Sequence, residues 1–133
     1  MSSREMTRNG TVLLIEDEFL VADVTTAMLT ECGYSVVHAQ NAEAAMPLLK
    51  SNKFTLILCD IGLRSSTDGL SFARSLRQSM PAMPILLMTG VEQRADEDPG
   101  EFNILIKPFG LETLRRVVSM VMQLDRAASG ASG

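Results

Sequence analysis

Five short apolar runs, each followed by polar residues, constrain this chain more than any other feature. They are Thr11–Ile15 (TVLLI), Tyr34–Ala39 (YSVVHA, the weakest), Thr55–Cys59 (TLILC), Ile85–Met88 (ILLM) and Ile104–Ile106 (ILI). Near-continuous hydrophobicity over so few residues suits strands buried on both faces, as in a parallel sheet. Segments with helical spacing alternate with these runs, so the pattern predicts an α/β fold with helices on both faces of the sheet. Right-handed crossovers then restrict the topology to doubly wound orders, of which 2-1-3-4-5 suits five strands.

Four helices can be placed between and after the strands. In the first, Val21, Val24, Met28 and Cys32 share one face, and Gly33 is placed to end it. Asn41 can cap a second helix over Ala42 to Lys50, and Asp68 a third in which Leu70, Phe72, Ala73 and Leu76 turn inward. The last is predicted from about Leu111 to Leu124, with Leu114, Val117, Val118 and Val121 on its apolar face. Between Met88 and Asn103 the sequence is acidic, poor in apolar residues and broken by Pro99-Gly100, which predicts a short or irregular element there. One domain over residues 11–124 follows, with a flexible N-terminus at 1–10 and a flexible tail at 125–133 rich in Ala, Ser and Gly. Met28, Met88, Met120 and Met122 read as core.

Composition excludes several classes of function. A net charge of −4 argues against direct nucleic-acid binding by this chain. No apolar run approaches the roughly 20 residues needed to cross a bilayer, and the polar first ten residues do not read as a signal peptide. Cys32 and Cys59 lie in apolar segments without metal-ligand spacing, as expected of buried, reduced thiols in a cytoplasmic protein. His38 stands alone on the second strand and reads as a structural or surface residue.

Function in such sheets sits beyond the carboxyl ends of the strands, where the strand order reverses. The first strand is followed by Glu16-Asp17-Glu18, the third by Asp60, the fourth by Thr89-Gly90 and the fifth by Lys107-Pro108. The reversal between strands 1 and 3 gathers the acids, with Thr89 and Lys107 bordering the same crevice. Two like charges about 4 Å apart repel by roughly 4 kcal/mol at an effective dielectric near 20. Three carboxylates at one edge therefore need a cation, a raised pKa or the nearby lysine. Oxygen ligands with room for water suit Mg²⁺, Lys107 supplies a point charge for phosphoryl oxygens, Thr89 a hydroxyl donor, and Gly90 an open approach. Phosphoryl transfer to a carboxylate fits these parts. Taken singly each part has a plainer reading: an acid after a strand caps a helix, Thr-Gly makes a turn, and Lys-Pro makes a loop. Their joint placement at four strand ends carries the argument.

These residues resemble the receiver domains of two-component signalling. Val12-Leu13-Leu14-Ile15-Glu16-Asp17-Glu18, Leu56-Ile57-Leu58-Cys59-Asp60, Asp68-Gly69-Leu70, Leu87-Met88-Thr89-Gly90 and Ile106-Lys107-Pro108-Phe109 carry the likeness, which covers about Thr11 to Leu124. The resemblance implies a flavodoxin-like fold and Asp60 as the acceptor of a phosphoryl group from a histidine kinase or phosphotransfer protein. It further implies that Mg²⁺ is held directly by Asp17, Asp60 and the backbone carbonyl of Gly62, with Glu16 helping through water. Lys107 and Thr89 would hold phosphoryl oxygens, and the Lys107–Pro108 bond would be cis. The implied role is a switch in the cytoplasm that signals by protein contact to a downstream partner, not a turnover enzyme.

Three positions depart from the family pattern. Glu16 replaces a more common Asp, the stretch Ile61 to Thr67 lacks the usual Met-Pro, and Ile104 stands where relatives carry Tyr or Phe. The aromatic switch coupled to the threonine cannot then operate unchanged through Thr89, Gly90 and Ile104, and the resemblance is to receivers with a Thr-Gly motif and a reduced fourth helix. Two other readings stay open. One is a pseudo-receiver that binds partners without phosphorylation; the other is a phosphate-ester hydrolase, which commonly needs a second acid where this chain has Gly62. The sequence also leaves open whether the domain stands alone or belongs to a larger regulator or hybrid kinase.

Overall fold

The computed structural model describes residues 9–63, 68–90 and 100–131. The strands are β1 (Thr11–Ile15), β2 (Ser35–Ala39), β3 (Leu56–Asp60), β4 (Ile85–Gly90) and β5 (Asn103–Lys107). The helices among the described residues are α1 (Phe19–Glu31), α2 (Ala42–Ser51), α3 (Gly69–Ser79) and α4 (Leu111–Ala131). All ladders are parallel and the strand order is β2-β1-β3-β4-β5, as the alternation of runs predicts.

The period of two along each strand divides the core into two layers. Leu13, Ile15, Ile57, Cys59, Ile85 and Leu87 face one side, where α2 and α3 cover them with Ala42, Ala45, Leu70, Phe72, Ala73 and Leu76. Val12, Leu14, Leu56, Leu58, Leu86 and Met88 face the other, against Ala22 and Leu29 of α1 and Leu114, Val118 and Val121 of α4. Central strands buried on both sides explain why their sequences are apolar throughout.

The caps fall where the sequence places them. The Asn41 side chain accepts the amide of Ala44, and that of Asp68 accepts the amide of Ser71, each at 2.8 Å. Gly33 takes a φ of +92°, which only glycine adopts without strain, just past the end of α1. Its amide donates to Thr30 O and the Tyr34 amide to Leu29 O, closing the helix with a paired C-terminal cap.

Several expectations need correction. The buried face of α1 is Ala22, Thr25 and Leu29, whereas Val24 is 55% exposed. This helix is apolar on more than one side, so periodicity alone does not select a face; Leu29 is turned fully into the core together with the small Ala22 and Thr25. Met120 is exposed, and Cys32 is half-buried where only Cys59 is fully so. The backbone of α4 remains helical to Ala131, past the predicted end at Leu124; Asp125 to Ala128 contain no helix breaker. β4 and β5 run on to Gly90 and Lys107, so the functional candidates Thr89, Gly90 and Lys107 lie on the strands themselves. The irregular element foreseen between β4 and β5 falls largely on residues 91–99, outside the described residues. So do most of the N-terminal segment, residues 64–67 of the loop after Asp60, and the last two residues.

Candidate functional site

Register brings the site together. Ile15 pairs with Cys59, so Glu16 and Asp60 emerge side by side at the carboxyl ends of β1 and β3. Gly90 pairs with Lys107 at the end of β5, and Asp60 pairs with Met88. Adjacent strands lie about 4.8 Å apart, so Lys107 must extend across the end of β4 to reach β3. Gly90, beside it in the ladder, adds no side chain to that path.

The Lys107 ammonium reaches both acids, donating to Asp60 Oδ2 at 2.9 Å and to Glu16 Oε1 at 3.2 Å. The Gly62 amide donates to Asp60 Oδ1 at 2.8 Å, and the Glu18 amide to Glu16 Oε2 at 3.2 Å. Glu16 and Asp60 are buried and the Lys107 side chain is only 20% exposed. Asp17, half-buried, completes a group in which one ligand atom from each of Glu16, Asp17 and Asp60 lies within 4.8 Å of the others. Thr89 is buried at the end of β4, its hydroxyl donating to Gly90 O at 3.0 Å. The Lys107–Pro108 bond is cis. Ile104 is partly buried against the α2–α3 side of the core and, being aliphatic, presents no ring to Thr89.

The electrostatics arise from this packing. Burial pushes the Glu16 carboxyl up to about 7, and the neighbouring Asp60 charge adds to the effect; the Glu18 amide and Lys107 oppose it. Burial by itself would lower the Lys107 ammonium, but its hydrogen bond to Asp60 and the charges of Asp60 and Glu16 outweigh this and raise it. Three carboxylates against one ammonium leave two negative charges in excess when all are ionised. Oxygen donors, a deficit of two charges and a spacing near that of shared ligands fit a hard divalent cation such as Mg²⁺.

A cleft of about 560 Å³ leads from these groups over α1, lined by Val21, Val24, Met28, Pro108 and Phe109 as well as Asp60. Of the α1 face that sequence periodicity assigns to the core, Met28 and Cys32 pack against the core cluster, while Val21, Val24 and Met28 line this cleft. Other features were less legible. Gly69, at the first turn of α3, lies so close to the acceptor strand that a Cβ there would meet the Asp60 carbonyl oxygen at 2.1 Å. His38 reaches the Glu16 backbone carbonyl with Nε2 at 2.7 Å. The strand order is the signal that finds it, since β2 next to β1 puts the last residues of β2 beside Glu16.

Comparison with known proteins agrees with this architecture. The sequence profile of the response regulator receiver domain matches residues 12–119. The response regulator protein PmrA of Pseudomonas aeruginosa is 34% identical over 123 residues, covering 90% of this chain and 54% of PmrA. FleR of the same organism, a response regulator protein, is 33% identical over 112 residues, or 81% of this chain and 24% of FleR. The chain therefore spans between a quarter and about half the length of these curated relatives. Among solved structures, the N-terminal domain of a response regulator/sensory box/GGDEF three-domain protein from Carboxydothermus hydrogenoformans superposes with a TM-score of 0.80 at 25% identity, covering 90% of this chain and 98% of that one. With the 2-1-3-4-5 sheet, the acids at the switch point and the lysine on the last strand already in place, the match over 108 of 133 residues leaves one assignment: this chain belongs to the response regulator receiver domain family.

Proposed function

We propose that the protein is a phospho-acceptor switch in which Asp60 receives a phosphoryl group from a histidine kinase or histidine phosphotransfer protein. The observation that carries this reading is Lys107 bridging Asp60 and Glu16 within a cluster of three carboxylates. Asp17, Asp60 and the Gly62 carbonyl would hold Mg²⁺, with Glu16 assisting through water. When bound, the ion supplies charge neutralisation for the incoming phosphoryl oxygens.

In the transfer, a carboxylate oxygen of Asp60 attacks phosphorus as the bond from phosphorus to the donor nitrogen breaks, and the electron pair of that bond leaves with the donor imidazole. Little covalent chemistry is asked of the protein, so positioning and charge dominate. The Gly62 amide orients the acceptor through its other oxygen, Lys107 turns its ammonium from the carboxylates to a phosphoryl oxygen, and the Thr89 hydroxyl donates to another. The cleft over α1 leaves the donor a route to Asp60.

The phosphoryl group carries about −1.5 to −2 charges where the Asp60 carboxylate carried −1, and Thr89-Gly90 on β4 lead directly from the strand ends into the β4–β5 connection. Signalling proceeds by protein contact from that side, without turnover of a substrate and without a nucleic-acid surface of the chain's own; the net charge of −4 supports the last point. The reading puts the site of action in the cytoplasm; among the described residues no helix is long and apolar enough to cross a membrane. Incubation with acetyl phosphate tests the reading. The protein should gain the mass of one phosphoryl group when Mg²⁺ is present and none in chelator. A mass that never changes would favour a partner-binding domain independent of phosphorylation.

A further inference from the structure

His38 lies outside the acidic cluster, yet it contacts the backbone that carries two of its members. The β1–β2 ladder continues one rung past β1, with the Glu16 amide donating to Ala39 O at 3.1 Å. The next rung of a parallel ladder would offer the amide of residue 41 to the Glu16 carbonyl. There the chain has already left the sheet, because Asn41 caps α2. The imidazole of His38 takes that place, its Nε2 standing 2.7 Å from Glu16 O. A carbonyl oxygen only accepts, so Nε2 must carry the proton of this bond. The same ring meets Phe19, the first residue of α1, edge to face, with centroids 5.9 Å apart and planes at 88°. One side chain thus touches both ends of the Glu16-Asp17-Glu18 loop.

The carbonyl it holds belongs to the peptide plane joining Glu16 to Asp17. Rotation of that plane would swing the Asp17 side chain relative to Glu16 and Asp60, which sit on the β1 and β3 frame. We propose that His38 is a positioning residue that fixes the peptide plane between Glu16 and Asp17, so that the three carboxylates stay set for a divalent cation. This role presupposes the proposed function, in which the cluster takes Mg²⁺. Histidine suits it because the ring is rigid and reaches the carbonyl from a strand residue already fixed in the ladder, where Leu14 pairs with it.

The test uses the unphosphorylated protein and Mg²⁺ alone, titrated while amide chemical shifts are followed. His38→Leu, which keeps bulk but cannot donate, should weaken Mg²⁺ binding about tenfold, in line with the loss of other outer partners of metal ligands. His38→Gln, whose amide can still donate, should bind more tightly than His38→Leu and approach wild type. Equal affinity of wild type and His38→Leu overturns the inference, as does failure of Gln to restore what Leu loses. Absence of binding by wild type would instead remove the underlying assignment of the cluster. A measurement on wild type alone covers the case in which a variant does not fold. His38 is the one histidine of the chain, so its ring nitrogens give a single set of signals. In mildly alkaline buffer they should report the Nε2–H tautomer, and an Nδ1–H tautomer would refute the hydrogen bond.

Discussion

Glu16 shows how burial shapes chemistry at a single residue. Its carboxyl sits fully inside the protein beside Asp60 and titrates near 7, well above the usual glutamate value of about 4.3. A carboxyl raised on folding binds its proton more tightly in the folded state. Its contribution to stability is therefore complete below the unfolded value and disappears as the pH rises through about 7. Metal-free protein should lose melting temperature across that window, and Glu16→Gln should flatten the profile; calorimetry in chelating buffer measures both. Mg²⁺ affinity should rise over the same range as Glu16 gives up its proton, and a profile that is flat in wild type would contradict the assignment. Asp60 and Lys107 were legible in the sequence because a charged residue directly after a buried strand has few bland explanations when four strand ends carry compatible groups. His38 was legible only through the strand order that puts the end of β2 beside Glu16, and Gly69 was not legible, since its role depends on a close backbone approach that no residue pattern records.

At the scale of elements, α3 is set directly against the acceptor strand. Its first residue, Gly69, has no room for a Cβ beside the Asp60 carbonyl and the Ile61 Cα. Gly69→Ala should lower stability by ~1–3 kcal/mol, the usual cost of forcing a methyl group into a packed site. Because the atoms displaced belong to the acceptor's own backbone, the variant should also accept phosphate more slowly; urea denaturation and acetyl phosphate kinetics read the two effects. Asp68→Ala removes the cap of the same helix and should cost ~1 kcal/mol, with a smaller effect on phosphorylation because it leaves the Asp60 backbone in place. The contrast between α1 and α3 explains what periodicity can and cannot reveal. In α3 the polar side is continuous, and Leu70, Phe72, Ala73 and Leu76 stand out as buried. In α1 the apolar residues serve two surfaces, a core face of Ala22 and Leu29 and a cleft wall of Val21, Val24 and Met28. Sequence alone favours the row of larger residues from Val21 to Cys32, and the packing centres the buried face on Ala22, Thr25 and Leu29 instead.

Over the whole molecule, the parallel sheet with reversed strand order does two things at once. It buries both faces of its central strands, which makes the fold readable from apolar runs. It also collects the carboxyl ends of those strands, which makes the site readable from the polar residues at the end of each run. The register that sets Lys107 between Asp60 and Glu16 is a property of the complete sheet, so it could be inferred only after the strand order was fixed. A cation that neutralises such a cluster binds the folded state and not the unfolded chain. Mg²⁺ at about a hundred times its dissociation constant should thus stabilise the protein by ~2.7 kcal/mol, reversibly on chelation. The central claim is that Asp60 itself takes the phosphoryl group, and borohydride trapping tests it most directly. Reduction of an aspartyl phosphate by borohydride gives homoserine, which peptide mass spectrometry locates. After treatment with acetyl phosphate and Mg²⁺, the account predicts homoserine at position 60 alone, and none when Asp60→Asn is treated in the same way. Homoserine at another acidic position, or at none in a protein that binds Mg²⁺, would contradict it.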